Sequence, residues 1–106
     1  MNNNILIYGA NGYAAELIVQ LALNDGEAPI LAGRSEEKLA PLAKLHKLPM
    51  RSFALDDSGI VAKNLAGVAV VLNCAGPFSR TAKAMAEACI KARVHYLDIT
   101  LSLIHI

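Results

Sequence analysis

The sequence is poor in charge, in cysteine and in long apolar runs. Charged residues make up 18% of its 106 positions, the net charge is +1, and no block of like charges occurs. No nucleic acid and no acidic membrane surface is therefore an expected partner, since both need a basic patch or stripe. The two cysteines, Cys74 and Cys89, lie in apolar surroundings without C-x-x-C spacing or a neighbouring histidine–cysteine cluster. That excludes a disulfide framework and predicts no metal site, and it leaves buried free thiols in a reducing cytoplasm as the expectation. No apolar stretch approaches a membrane span of about 20 residues. The start, Met1 to Asn4, is polar and uncharged, and the apolar stretch after it breaks at Gly9, so no secretory leader is predicted there. Internal repeats and low-complexity stretches are absent as well.

What is present is a hydrophobic share of 55%. With so little charge, this suits a sheet covered on both faces better than one with a wet face. The length allows one domain with one core, but is short for an enzyme that must hold both a cofactor and a substrate.

Apolar runs and turn residues alternate along the chain. Asn4 to Tyr8 reads as a buried strand ended by Gly9, and Gly12 to about Asn24 as a helix stopped by Asn24-Asp25-Gly26. Pro29 to Ala32 is a second strand. Ser35 is a natural N-cap for a helix running toward Lys47, and Pro41 inside it predicts a restart or a kink. Met50 to Leu55 is a third strand, followed by a short helix that opens at Asp56-Asp57-Ser58-Gly59 and ends near Gly67. Val68 to Asn73, nearly all β-branched or small, belongs at the sheet centre. Ser79 to Ala92 is a helix with Ala82, Met85, Cys89 and Ala92 toward the core, and Val94 to Ile99 is a fifth strand. Strands alternating with helices at this spacing predict an α/β fold with a doubly wound parallel sheet.

The first strand–helix connection carries chemistry. Gly9-Ala10-Asn11-Gly12-Tyr13-Ala14-Ala15 fits G-x-x-G-x-x-A, a variant of the dinucleotide fingerprint. Gly9 permits the sharp turn, Gly12 lets the backbone approach a pyrophosphate, and Ala15 lets the helix pack close to the strand. The helix then turns free N–H groups and its positive dipole end toward phosphate.

At the end of the second strand, an acidic residue would hold the ribose of NAD and an arginine the 2′-phosphate of NADP. The sequence there is Ala32-Gly33-Arg34-Ser35, which favours NADP. A solvated loop arginine and a plain helix cap are the simpler alternatives for Arg34 and Ser35. After the fourth strand, Ala75 and Gly76 leave room for cofactor, and the alternative is a turn that merely ends the strand. Asp56, after the third strand, is placed to meet the adenine, with an ordinary turn residue as the equal alternative.

The candidate cofactor contacts are therefore Gly9, Ala10, Asn11, Gly12, Tyr13, Arg34, Ser35, Asp56, Ala75 and Gly76. His95 and Tyr96 fall on opposite faces of the fifth strand and are read as structural, whereas Asp98 stands near the carboxyl end. His46 compensates a helix dipole.

Together, Ile7 to Tyr13, Ala32 to Ser35, Asn73-Cys74-Ala75-Gly76-Pro77-Phe78 and Tyr96 to Thr100 resemble the N-terminal domain of the saccharopine dehydrogenase-like oxidoreductases, including the trans-acting enoyl reductases. The resemblance covers about Ile5 to Thr100 and implies a Rossmann domain that binds NADP. It places pyrophosphate at Gly9 and Gly12, the NADP phosphate at Arg34, and the nicotinamide side at Ala75 and Gly76. It also implies that a following domain, absent here, holds the small-molecule substrate, so catalytic residues do not carry over.

The resemblance ends where such proteins continue with Gly-Glu after Asp-Ile-Thr. Here residues 101–106 read Leu-Ser-Leu-Ile-His-Ile. Written back as CTG TCT CTT ATA CAC ATC, they resemble a transposase adapter from sequencing-library preparation. The expectation is a domain over residues 1–100 and a non-native read-through tail over residues 101–106.

Two other function classes stay open at this stage. The short-chain dehydrogenases share the early glycines but need a tyrosine and lysine four apart, and Tyr8, Tyr13 and Tyr96 are followed at that distance by Gly12, Leu17 and Thr100. A dinucleotide-binding module without catalysis would carry the same turn. A methyltransferase is disfavoured, because Arg34 stands where an acidic residue would meet the ribose.

Overall fold

The computed structural model describes residues 4–9, 13–55, 58–74 and 79–98. Five parallel strands form one sheet: β1 (Ile5–Tyr8), β2 (Ile30–Gly33), β3 (Met50–Ser52), β4 (Val70–Asn73) and β5 (His95–Asp98). Their order is β3-β2-β1-β4-β5. The connecting helices are α1 (Tyr13–Asn24), α2 (Glu36–His46), α3 (Ser58–Lys63) and α4 (Ser79–Ala92).

The chain first winds outward from β1 to β2 and β3, then returns to lay β4 against the other side of β1. Registers Leu6↔Ile30 and Leu6↔Val71 bracket β1, so the strand with the most apolar neighbours is central. The expectation that β4 sits at the centre is off by one strand, because β1 takes that place and β4 lies beside it.

Alternation along the strands sends side chains to two apolar layers. On one face Ile7 and Leu31 pack with Ala15 and Val19 of α1 and with Leu39 and Ala43 of α2. On the other, Leu6, Ile30, Ala32 and Val71 pack with Val61 of α3 and with Met85, Ala88 and Cys89 of α4. This is the doubly wound α/β arrangement that the low charge and the strand spacing predict.

Several boundaries differ from the sequence reading. α2 runs unbroken from Glu36 to His46 with Pro41 inside it, so it does not end and restart. Leu39 and Ala43, both buried against the sheet, lie on either side of the proline and hold the helix together through the missing N–H. β3 stops at Ser52 rather than Leu55: it is an edge strand whose last tie to β2 is Phe53 N–H donating to the Gly33 carbonyl, and the Phe53 ring packs on Tyr8, centroids 5.1 Å apart. Leu97 and His95 on β5, the other edge, are exposed.

Neither cysteine is in a disulfide, but only Cys89 is buried, whereas Cys74 is half-buried at the end of β4. Burial pushes the Cys89 thiol from an ordinary 9.0 up to about 11. The protonated thiol is the form the folded core favours, so its contribution to stability is present below pH 9 and is lost as pH rises toward about 11. A thiol reagent at pH 8 is expected to modify one thiol of the native chain rapidly and the second only as the chain unfolds. Two equally fast thiols would contradict this packing. Among the described residues no helix is long and apolar enough to cross a membrane.

Candidate functional site

Because all five strands are parallel, every strand end that leads into a helix lies on one edge of the sheet. The reversal of winding between β1 and β4 opens a crevice on that edge, where ligands of such sheets bind. The strand ends around it are tied together beyond the ladder. Gly9 N–H donates to the Ala32 carbonyl at 2.8 Å, and Cys74 N–H donates to the Tyr8 carbonyl at 2.8 Å. The ends of β2, β1 and β4 thus form one rigid rim.

Gly9 itself has φ 83°, in the left-handed region. A side chain there would cost about 1–2 kcal/mol, so the glycine is required by the turn and not only by a ligand. α1 begins at Tyr13, four positions on, and its N-terminus stands at the same edge. Its free N–H groups and dipole suit a pyrophosphate there. Ala10, Asn11 and Gly12, which join the two, lie outside the described residues, as do Asp56, Ala75, Gly76 and the tail of residues 101–106.

Arg34 is exposed one residue past β2. The backbone at this position is anchored from β3, since Ser52 Oγ donates to the Arg34 carbonyl at 3.2 Å and Phe53 N–H to the Gly33 carbonyl at 2.9 Å. Ser52 was not singled out from the sequence. The signal was its place at the end of the third strand, in register with Gly33, beside the arginine turn.

Ser35 caps α2, with its Oγ accepting from Lys38 N–H at 3.3 Å. The simpler reading of this serine therefore holds, although capping leaves its hydroxyl hydrogen available to a phosphate. Glu36 and Glu37 are exposed in the first turn of α2 and favour its N-terminus electrostatically. They also oppose a second anion there, so a phosphate at this point depends on the guanidinium.

Two polar side chains lie under the rim on the α3/α4 side. Tyr8 Oη donates to the Phe53 carbonyl at 2.6 Å. Asn73, fully buried at the end of β4, donates from Nδ2 to Tyr96 Oη at 3.1 Å. The structural role expected for Tyr96 is thus observed, and His95 points the other way, exposed. Asp98 pairs in register with Asn73 at the strand end, on the carboxyl-end edge of the sheet. A surface depression lined by Glu16, Val19, Leu31, Leu42 and His46 contains no candidate cofactor contact.

A tight turn at Gly9, a helix N-terminus beside it and an anchored, exposed arginine after β2 are what a dinucleotide carrying a 2′-phosphate requires. The comparisons agree. The family model described as the saccharopine dehydrogenase NADP-binding domain matches residues 5–104, and the short-chain dehydrogenase alternative is not better supported. A trans-acting enoyl reductase of Mycobacterium ulcerans is 33% identical over 105 residues, covering 91% of this chain and 25% of that protein.

Two solved structures share the fold. Saccharopine dehydrogenase (L-Glu forming) of Saccharomyces cerevisiae superposes with a TM-score of 0.77 at 23% identity, over 91% of this chain and 21% of that one. Triphenylmethane reductase of Citrobacter sp. superposes with a TM-score of 0.78 at 25% identity, over 90% of this chain and 36% of that one. The chain therefore spans about a quarter of the length of the enoyl reductase it matches. It belongs to the saccharopine dehydrogenase NADP-binding domain family.

Proposed function

We propose that this chain is the cofactor half of a larger NADP-dependent oxidoreductase, and that it holds NADP along the rim from Arg34, past the Gly9 turn, to the exit of β4. The observation that carries the reading is Arg34, exposed on that edge and anchored through its carbonyl by Ser52. In this reading the guanidinium grips the 2′-phosphate, and the hydroxyl of Ser35 adds a donor beside it. The turn formed by Gly9, Ala10, Asn11, Gly12 and Tyr13 holds the pyrophosphate at the N-terminus of α1. Asp56 borders the adenine, and Ala75 and Gly76 leave room for the nicotinamide side.

Bound NADPH supplies a hydride. The chain's own residues bind and orient, and the small-molecule substrate and the catalytic groups belong to a further domain of the parent protein. The similarity to a trans-acting enoyl reductase supports an unsaturated acyl-type substrate for that parent. Two cysteines outside any disulfide fit a cytoplasmic setting.

Thermal melting tests the binding step. A ligand that prefers the folded state must raise the melting temperature, by an amount equivalent to about 2.7 kcal/mol at a hundredfold excess over its dissociation constant. NADPH is expected to raise it in a concentration-dependent way, and an unchanged melting curve at millimolar NADPH would count against the reading.

A further inference from the structure

Asn73 is the buried polar residue among the described positions, with 0% exposure. Burying an amide is costly unless it is hydrogen-bonded, and here Nδ2 meets Tyr96 Oη at 3.1 Å. Tyr96 pairs in register with Val71, two residues before Asn73. To reach the amide, its ring must therefore lean along the strands toward their carboxyl ends, and its body packs against the α3/α4 core. The next backbone group, Cys74 N–H, is held by the Tyr8 carbonyl, and Tyr8 is the register partner of Asn73. The bond between Asn73 and Tyr96 thus braces β4 from the β5 side where β1 braces it from the other. The braced point is the β4 side of the crevice, across the switch point from Arg34 just past β2.

We propose that Asn73 and Tyr96 are a positioning pair that fixes the exit of β4 and thereby sets the grip on the nicotinamide half of the dinucleotide, while Arg34 sets the grip on the adenosine half. The inference rests on the NADP-binding reading above. Stability alone does not account for the pair, because replacing both members of a buried hydrogen bond by apolar groups of similar shape is close to neutral. What an apolar pair lacks is direction: it leaves the strand end free to settle in more than one position.

The test compares two ligands on the full 106-residue chain. NADPH occupies both halves of the rim, whereas adenosine 2′,5′-bisphosphate carries the 2′-phosphate but no nicotinamide. In the double variant Asn73→Leu/Tyr96→Phe, NADPH affinity is expected to fall about tenfold, with adenosine 2′,5′-bisphosphate affinity unchanged. Tyr96→Phe alone keeps the ring packing and carries the same test, with a fall of about fivefold, should the double variant melt before titration. Equal losses for both ligands would reduce the pair to a structural contact, and no loss for NADPH would also overturn the proposal. Binding of neither ligand by the unsubstituted chain would instead overturn the NADP reading, and this inference with it.

Discussion

Replacing Arg34 by alanine is expected to weaken NADPH binding by about 10- to 100-fold while leaving NADH affinity within about twofold. The magnitude follows from a charge-assisted, two-pronged contact to a dianionic phosphate, worth about 1.5–3 kcal/mol. The selectivity follows from position. Arg34 stands beyond the end of β2, away from the Gly9 turn that both cofactors would share, and Ser52 holds its backbone whichever side chain is present. Arg34→Lys keeps the charge but loses the fork, and should fall between the two. The neighbouring Glu36 and Glu37 sharpen the effect, because without the guanidinium this corner presents two carboxylates to the incoming phosphate. Titration of the variant with both cofactors reads the result directly. An equal loss for NADPH and NADH would mean that Arg34 supports the fold rather than the phosphate.

Leu6→Ala is expected to cost about 2–5 kcal/mol and to lower the melting temperature by 10 °C or more, or to abolish cooperative unfolding. Leu6 lies on the central strand, is fully buried, and belongs to the cluster with Val71, Met85 and Cys89. Natural domains are stable by only about 5–15 kcal/mol, so one cavity here takes a large share. Leu21→Ala, on the solvent side of α1 at 68% exposure, is the control and should change stability by no more than about 0.5 kcal/mol. Comparable losses at the two positions, measured by thermal melting, would mean that the core is not where the two-layer arrangement puts it.

Most of the architecture was legible because the local signals agree with one another. Ile5 to Tyr8 and Val70 to Asn73 are apolar, largely covered runs of strand length, and α4 was expected over Ser79 to Ala92, where it is found. At Pro41 propensity allowed a restart or a kink, and the restart does not occur because packing of Leu39 and Ala43 on the sheet outweighs one missing hydrogen bond. At β3 propensity overran the strand, which ends at Ser52, after which the Phe53 ring meets Tyr8 across more than forty positions of sequence. Contacts of that kind have no local signature.

The site divides the same way. The positions of the Gly9 turn and of Arg34 at one edge of the sheet could be read because each occupies a set place after a strand. Ser52 and the bond from Asn73 to Tyr96 could not, since a serine at a strand end and a lone asparagine acquire roles only once register brings β3 beside β2 and β5 beside β4.

The central claim, that this rim holds NADP through Arg34, is tested most directly by equilibrium titration of the unsubstituted chain with NADPH and NADH side by side. Saturable binding of NADPH at least about tenfold tighter than NADH is the expected result. Equal affinities, or saturable binding of neither, would contradict it.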